Sequence, residues 1–307
     1  MENLKHLLVA TDFSERAAKA ETRAAMLCSE LHCHSLELLN VQPAAIDPVL
    51  VFAMDHSNSD GAELIVHGAE HELEQKSMQL KEIHQVDAAR NMRFGDPATE
   101  ILARTEEIPA DLTIIGAHGG NPLTDLFVGN TADKLVCNAT RPLLIVKRKP
   151  DHRYESVLVT VDFSEDSVLA ARMALKVAPA AHIVFLHAFT VPFEGYMHAG
   201  GIESDVIYQY RVKAAEEARC KLNRFIDELG PRTQLLSRTI AFGHPVAVIS
   251  EAISSMKPQL IVLGKHGRSH VEEFVLGSVT RRIVDQAECD VLVTTAPWNP
   301  DVFDAAA

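Results

Sequence analysis

Short apolar runs alternate with longer amphipathic stretches along this chain. Leu7–Ala10, Leu112–Ile115 and Leu143–Val146 are mainly apolar runs of strand length. Residues 16–30 and 62–84 instead have the alanine-, leucine- and glutamate-rich composition of helices. Apolar strands separated by helices are typical of a mostly parallel sheet that helices cover on both faces. The pattern therefore predicts an α/β protein.

Local signals refine this order of elements. Ser14 stands where a helix N-cap is expected, directly before the first alanine-rich stretch. A second strand is expected near Leu36–Val41 and a third one before Gly95. Pro97 fits the first turn of a helix that ends near Glu107, because a proline at that position gives up no intrahelical hydrogen bond.

The whole pattern occurs twice. Four matches follow in the same order at a nearly constant separation, which indicates a duplication. They are Val9–Glu15 with Val159–Glu165, Phe94–Pro97 with Phe242–Pro245, Gly116–Gly119 with Gly264–Gly267, and Gly129 with Gly277. We therefore expect one domain over residues 1–149 and a second over residues 150–307. The charged, proline-containing segment Lys147–Tyr154 has the composition of a linker between them.

Glycines bracket a loop in the second copy. Gly264-Lys265-His266-Gly267 follows a buried-type strand, and after nine further residues Gly277-Ser278 begins a helix. Glycine allows a ligand to approach the backbone, and a helix start offers N–H groups and a positive dipole end to an anion. The Ser278 hydroxyl can add a hydrogen bond. The loop is therefore a candidate phosphate-binding site.

An aspartate should lie close to this loop in each copy. Asp12 and Asp162 follow the first strand of their copy, and Gly116 and Gly264 end the fourth. Right-handed crossovers bring both strand ends to one edge of the sheet, where ligands of such folds bind. We expect the aspartate and the glycine loop to meet in one crevice. Helix capping is the ordinary alternative role for Asp162.

The spacing resembles the G-x2-G-x9-G-[S/T] loop of the universal stress protein family, in its ATP-binding branch. Residues Gly264–Thr294 and Val161–Ser164 are very similar to the corresponding segments of that family. The resemblance covers essentially both copies, as in the tandem members. It implies two flavodoxin-like domains, each with a five-stranded parallel sheet of order 3-2-1-4-5 and helices on both faces.

The resemblance also implies a ligand and its contacts. In the family, the aspartate lies beside adenine and ribose, the end of the second strand contacts adenine, and the loop and its serine hold ribose and phosphates. Carried over to the second copy, these roles fall on Asp162, Ala188, Gly264, Gly267, Gly277, Ser278 and Val279. Lys265 and Arg268 could touch the phosphates as well, and surface exposure is an equal possibility for Lys265. The implied ligand is ATP or AMP, with Mg²⁺ bound through the phosphates as an option.

The first copy departs from this pattern. The positions that keep it are Asp12, Val41, Gly116, Gly119 and Gly129. Asn130 replaces the serine, Thr131 follows one position later, and Gly120 stands where the second copy has Arg268. Asn130 can still donate a hydrogen bond. We therefore expect nucleotide binding to be stronger in the second copy.

Composition excludes several classes of protein. The 307 residues carry a net charge of −13, and both halves are acidic, which argues against binding to nucleic acid or an anionic membrane. No apolar run reaches about 18 residues, so no membrane span is expected. Five cysteines, an odd number with no C-x-x-C spacing, indicate reduced thiols and a cytoplasmic location.

Other clusters favour ordinary structural roles. His118 and His266 lie in the loops with no carboxylate at motif spacing, so loop stabilisation or exposure is expected. Cys28, His32, Cys33 and His34 lie where the first helix ends, but no second ligand pair accompanies them, so no metal is assigned. Neither a P-loop nor a G-x-S-x-G motif occurs, and no catalytic residue is assigned.

Three functions remain open at this point. A regulatory nucleotide-binding protein acting in stress adaptation with an unidentified protein partner is favoured. A slow ATPase or phosphotransferase and an interaction module without nucleotide are the alternatives. The two copies are also expected to form a pseudo-dimer about a pseudo-two-fold axis, with further homodimerisation as an option. The resemblance implies that the last strands, Leu143–Val146 and Val291–Thr294, pair in that arrangement, and their apolar edges would otherwise be exposed.

Overall fold

The structure, a computed structural model, describes residues 4–43, 60–117, 130–230, 234–267 and 276–295. The chain divides into two compact units, Met1–Arg153 and Tyr154–Ala307. In the described part of either unit, no helix combines the length and apolar character that crossing a bilayer requires.

The first unit alternates strands and helices as the sequence pattern predicts. Its elements are β1 (His6–Thr11), α1 (Glu15–Leu31), β2 (Ser35–Gln42), α2 (Asp60–His84), β3 (Ala88–Phe94), α3 (Pro97–Glu107), β4 (Leu112–Gly116), α4 (Asn130–Asn138) and β5 (Leu143–Val146). The strands form a parallel sheet in the order β3-β2-β1-β4-β5. The predicted order 3-2-1-4-5 is confirmed.

The second unit repeats this arrangement. Its elements are β6 (Ser156–Thr160), α5 (Glu165–Val177), β7 (His182–Phe189), α6 (Glu194–Ala199), α7 (Ser204–Glu228), β8 (Leu236–Phe242), α8 (Pro245–Met256), β9 (Leu260–Gly264), α9 (Ser278–Gln286) and β10 (Asp290–Thr294). Its parallel sheet has the order β8-β7-β6-β9-β10. The same chain order therefore produces the same sheet in both units.

The centre of each sheet is buried on both faces. In the first unit the side chains of β1 and β4 are almost fully buried, and those of β6 and β9 are buried in the second. The edge strands β3 and β8 are more exposed. Burial on both faces explains why the central strands are apolar at consecutive positions rather than at alternate ones.

Capping residues fix where the helices begin. Ser14 accepts a hydrogen bond from the backbone N–H of Ala17, and Ser164 accepts one from Ser167. Pro97 and Pro245 each occupy the first turn of a helix. Helix α1 therefore begins at the carboxyl end of β1, and α5 begins in the same way at the carboxyl end of β6. The predicted cap at Ser14 is confirmed.

Candidate functional site

A strained turn follows the first strand of each unit. The backbone N–H of Ser14 donates to Asp12 Oδ1 at 3.0 Å, and that of Ser164 donates to Asp162 Oδ1 at 3.0 Å. Phe13 and Phe163, between these partners, have φ angles of 64° and 68°. Such a backbone is uncommon for a large side chain, and the hydrogen bonds around it hold it in place.

Both aspartates therefore stay at the carboxyl end of the sheet instead of capping the next helix. Ser14 and Ser164 provide those caps. The Ser164 hydroxyl also donates to Asp162 Oδ1 at 2.5 Å. The N-cap itself is Ser164, so Asp162 supports the start of the helix through this serine and does not cap the helix directly.

In each unit, the glycine that ends the fourth strand lies against the first turn of that same unit's first helix. A Cβ on Gly264 would lie 2.6 Å from Cβ of Asp166, and one on Gly116 would lie 2.6 Å from the carbonyl oxygen of Arg16. Real Cβ atoms do not approach other atoms so closely. These two glycines are therefore required where the strand packs against the helix. The sequence analysis had explained them only by the approach of a ligand.

Two further glycines bring the loop and helix α9 to the aspartate. A Cβ on Gly267 would lie 3.2 Å from Asp162 Oδ2, and one on Gly277 would lie 3.1 Å from the carbonyl oxygen of Lys265. The backbone N–H of Gly277 donates to that same oxygen at 3.0 Å. The expected convergence of the first-strand aspartate and the glycine loop is present in the second unit.

Helix α9 begins at this convergence without a side-chain cap. Gly277 is its N-cap residue and has no side chain to accept from the first turn. Ser278 is exposed, while Thr280 donates its hydroxyl to the carbonyl oxygen of Gly264 at 2.7 Å. The first-turn N–H groups and the positive end of the helix dipole thus lie at the cleft, which is the arrangement that binds anions.

The cleft of the second unit has a volume of about 430 Å³. Asp162 and Ser278 lie on its polar side, and Leu186, Ile249 and Leu263 contribute apolar wall. The residues predicted from the sequence that line it are Asp162, Ala188, Gly264, Gly267, Gly277, Ser278 and Val279. Arg268 lies outside the described residues.

Sequence reasoning missed a buried carboxylate beneath the loop. Asp166 is fully buried, and its Oδ2 accepts from the backbone N–H of His266 at 2.8 Å and lies 3.1 Å from that ring's Nδ1. The expected loop-stabilising position of His266 fits this contact, since its partner is distant in sequence. Lys265 is only 4% exposed, so its possible surface position is wrong.

The apolar wall was also missed, although the repeat carries a signal for it. Pro245 and Ile249 line the second cleft, and Pro97 and Ile101 line the first. Each pair starts the helix that follows the third strand. In both copies an apolar residue follows the helix-start proline by four positions, so the two side chains share one face of the helix. This repeated spacing was the sequence signal for the apolar wall of the cleft.

The first unit has a smaller cleft of about 180 Å³. Asp12, Val41, Gly116 and Thr131 line it as predicted. Asn130 is exposed and is not part of this lining. Gly119 and Gly129 lie outside the described residues, as do His118 and Gly120.

A cation lines the first cleft where the second unit buries an acid. Arg16, in the first turn of α1, contributes to the lining, and the same position of α5 is Asp166. The repeated segments around Ser14 and Ser164 establish this equivalence. The sequence analysis considered cations only in the second copy, at Lys265 and Arg268, and therefore missed Arg16 in the first unit.

No metal centre is found among the residues that the structure describes, where no group of three or more histidine, cysteine or acidic side chains converges. Cys28, His32 and Cys33 lie together at the end of α1, as their spacing indicates, but without the further ligands that a site would need.

Two parallel α/β units of this strand order, each with a cleft at the carboxyl ends of its first and fourth strands, define tandem flavodoxin-like domains. The model of the universal stress protein family matches residues 3–147 and 153–295. The chain therefore belongs to the universal stress protein family and holds two of its domains.

Individual relatives agree with this assignment. Universal stress protein MJ0531 of Methanocaldococcus jannaschii is 30% identical over 155 residues, 49% of this chain and 87% of the relative. Universal stress protein Mb2028c of Mycobacterium bovis is 25% identical over 206 residues, 65% of this chain and 66% of the relative. A universal stress protein from Archaeoglobus fulgidus has the same fold, with a TM-score of 0.67, 19% identity and coverage of 94% of this chain and 98% of its own.

Proposed function

We propose that this protein is a regulatory adenine-nucleotide-binding protein and that its second unit binds the nucleotide more strongly. The observation that carries the proposal is the convergence of Asp162, Gly267 and the uncapped start of α9 at one cleft. Each of these groups suits one part of a nucleotide. Together they account for a ligand that is apolar at one end and anionic at the other.

The base and ribose suit the strand side of the cleft. Leu186 and Ile249 offer apolar surface to a purine. Ala188 lies near the end of β7, where backbone groups can form hydrogen bonds with the edge of the purine. The Asp162 carboxylate can accept hydrogen bonds from ribose hydroxyls. The volume of about 430 Å³ falls in the range of about 300–1,000 Å³ usual for small-molecule sites.

The phosphates suit the helix side of the cleft. Ser278 supplies a hydroxyl, and the first-turn N–H groups of α9 supply donors that a phosphate satisfies without a neutralising side chain. Mg²⁺ could accompany ATP through the phosphate oxygens, since it is held in proteins largely by phosphates and water. These residues hold and orient the nucleotide, and none of them is assigned a catalytic role.

The first unit is a weaker site in this proposal. Its cleft keeps Asp12 and Thr131 but has less than half the volume of the second cleft. A regulatory role in stress adaptation, through an unidentified protein partner in the cytoplasm, goes with the binding. The odd number of cysteines and the lack of C-x-x-C spacing fit a compartment that keeps thiols reduced.

The nucleotide content of the purified chain tests this function directly. Protein released by heat should yield ATP or AMP by mass spectrometry. Ligand at about 100 times its dissociation constant should stabilise the folded chain by about 2.7 kcal/mol, measured by thermal unfolding. The chain alone should release little phosphate from ATP, and steady turnover would favour the enzyme alternative.

A glycine variant tests the site itself. Gly277→Asp places a carboxylate at the proposed phosphate position and should remove most of the ligand-induced stabilisation. Gly195→Asp is the matched control, because Gly195 is exposed in the same unit and has nothing within 4 Å of an added Cβ. Equal stabilisation of both variants by ATP would contradict the proposed loop.

A further inference from the structure

Two cysteines meet where helix α1 ends. His32 takes a left-handed conformation with φ 52° and ψ 50°, which turns the chain back on the helix. The backbone N–H of Cys33 then donates to the carbonyl oxygen of Cys28 at 3.1 Å. In this type of helix ending the side chains of the two hydrogen-bonded residues commonly touch. The local fold therefore brings these two thiols together.

The two thiols also influence each other's acidity. A hydrogen bond from the Cys33 thiol lowers the pKa of Cys28, although burial acts in the opposite direction. The same hydrogen bond and burial raise the pKa of Cys33. Of the two thiols, Cys28 is therefore the one that ionises more readily. A thiolate beside a second thiol is the arrangement in which a cysteine oxidises and is then resolved.

The other three cysteines lie on different elements of the fold from this pair. Cys28 is 6% exposed and Cys33 is half-buried beside it. Cys137 lies on α4, Cys220 on α7 and Cys289 directly before β10. Only five positions separate Cys28 and Cys33, so a bond between them needs no rearrangement of distant elements.

This pair also lies far from the first cleft. Cys28 is in the last turn of α1, while Ser14 and Arg16 at its beginning line the cleft. The helix has 17 residues and is about 25 Å long at about 1.5 Å per residue. Chemistry at its end can therefore proceed without contact to a bound nucleotide.

We propose that Cys28 and Cys33 are a reversible oxidation site, at which hydrogen peroxide oxidises the two thiols to an intramolecular disulfide. The Cys28 thiolate attacks one peroxide oxygen, the O–O bond breaks, and the departing hydroxide takes a proton to become water. Cys33 loses its proton and attacks the resulting sulfenic sulfur, so that the S–S bond forms and a second water leaves. Two electrons pass from the thiols to peroxide, and a dithiol reductant reverses the change.

Peptide mass spectrometry on the full chain tests this proposal. The reduced protein is treated with hydrogen peroxide, its remaining thiols are alkylated, and trypsin cleaves after Arg23 and Lys76. The peptide of residues 24–76 holds both cysteines and no other. Its dominant form should be unalkylated and lighter than the dithiol by two hydrogen atoms. Treatment with dithiothreitol before alkylation should restore the doubly alkylated form.

Single variants identify the bond. Cys33→Ser should turn the lighter peptide into one that gains oxygen at Cys28, because no thiol remains to resolve the sulfenic acid. Cys220→Ser, which removes an exposed thiol elsewhere, should leave the lighter peptide unchanged. The proposal is overturned if the folded wild-type chain keeps residues 24–76 doubly alkylated after peroxide, or if either cysteine is found linked to a different one. That wild-type result stands even if a variant fails to fold.

Discussion

The two units share a backbone but differ in the side chains beneath their clefts. In the first, Thr11 donates to the buried carboxylate of Glu21 at 2.5 Å, and Lys76 Nζ lies 3.3 Å from the same group. In the second, the equivalent positions of Thr11 and Glu21 are the apolar Val161 and Ala171. A duplicated fold therefore tolerates either an ionic or an apolar filling at the same place.

A second difference concerns the start of the first helix. Asp166 anchors the loop after β9 through His266, whereas Arg16 at the same position lines the first cleft. The clefts also differ in volume, at about 430 and 180 Å³. Duplication thus preserved the strands and turns that build a site, while the charge at the start of the first helix and the volume of the cleft diverged. Each prediction below tests one part of this comparison.

The largest effect is expected from the buried ion pair between Lys76 and Glu21 in the first unit. The second unit has Ala171 at the position of Glu21. Lys76→Met should destabilise the first unit by about 3 kcal/mol, because it leaves the Glu21 carboxylate buried without its cation. Hydrogen exchange, which resolves the two units, would measure the loss. Lys81→Met is the control, since its ion pair with Asp87 is exposed on both sides and should contribute less than about 1 kcal/mol. Similar losses in both variants would show that the buried pair is not special.

A smaller and equal effect is expected from the fourth-strand glycines. Gly116→Ala and Gly264→Ala should each cost about 2 kcal/mol, because both added methyl groups would meet the first helix turn at 2.6 Å. Denaturant unfolding followed by hydrogen exchange would assign each loss to its unit. Gly195→Ala should show no such penalty. A large difference between the two glycine variants would mean that the shared backbone packs differently in the two units.

Nucleotide affinity should favour the second unit by about 1–2 kcal/mol, or about five- to thirtyfold. Ser278 and the larger cleft act in its favour, and Arg16 offsets part of the difference in the first unit. Titration calorimetry on two full-length variants separates the sites: Thr131→Asp blocks the first cleft and Gly277→Asp the second. Tighter binding by the variant that keeps only the first cleft would reverse the comparison.

The smallest expected effect concerns the anchor of the loop. Asp166→Asn keeps one acceptor for His266 but loses the charge, so ATP affinity of the second unit should fall by about 1 kcal/mol. Calorimetry would measure the affinity, and nitrogen-15 spectra of the histidine rings would show whether His266 loses its fixed hydrogen bond. Ser254→Ala, at an exposed position of α8, is a control in the same unit. Unchanged affinity with a changed ring signal would limit Asp166 to a structural role.

Much of the fold follows from sequence patterns that are local. Four-residue to eight-residue apolar runs, the caps at Ser14 and the helix-start proline Pro97 lie in the structure where the pattern placed them. The duplicated motifs were enough to predict the strand order through family resemblance. They also predicted that Asp162 and Gly267 would meet, since parallel strands with right-handed crossovers present their carboxyl ends on one edge.

Only the tertiary structure revealed the contacts between distant residues. Asp166 and His266 are 100 positions apart, and Glu21 and Lys76 lie on different helices, so neither pair leaves a short-range pattern. The role of Gly264 likewise depended on which atoms approach it, and the approaching group is a helix turn. Sequence periodicity records which face of an element is buried. The identity of a buried side chain's partner depends on how elements pack, which is a property of the folded chain.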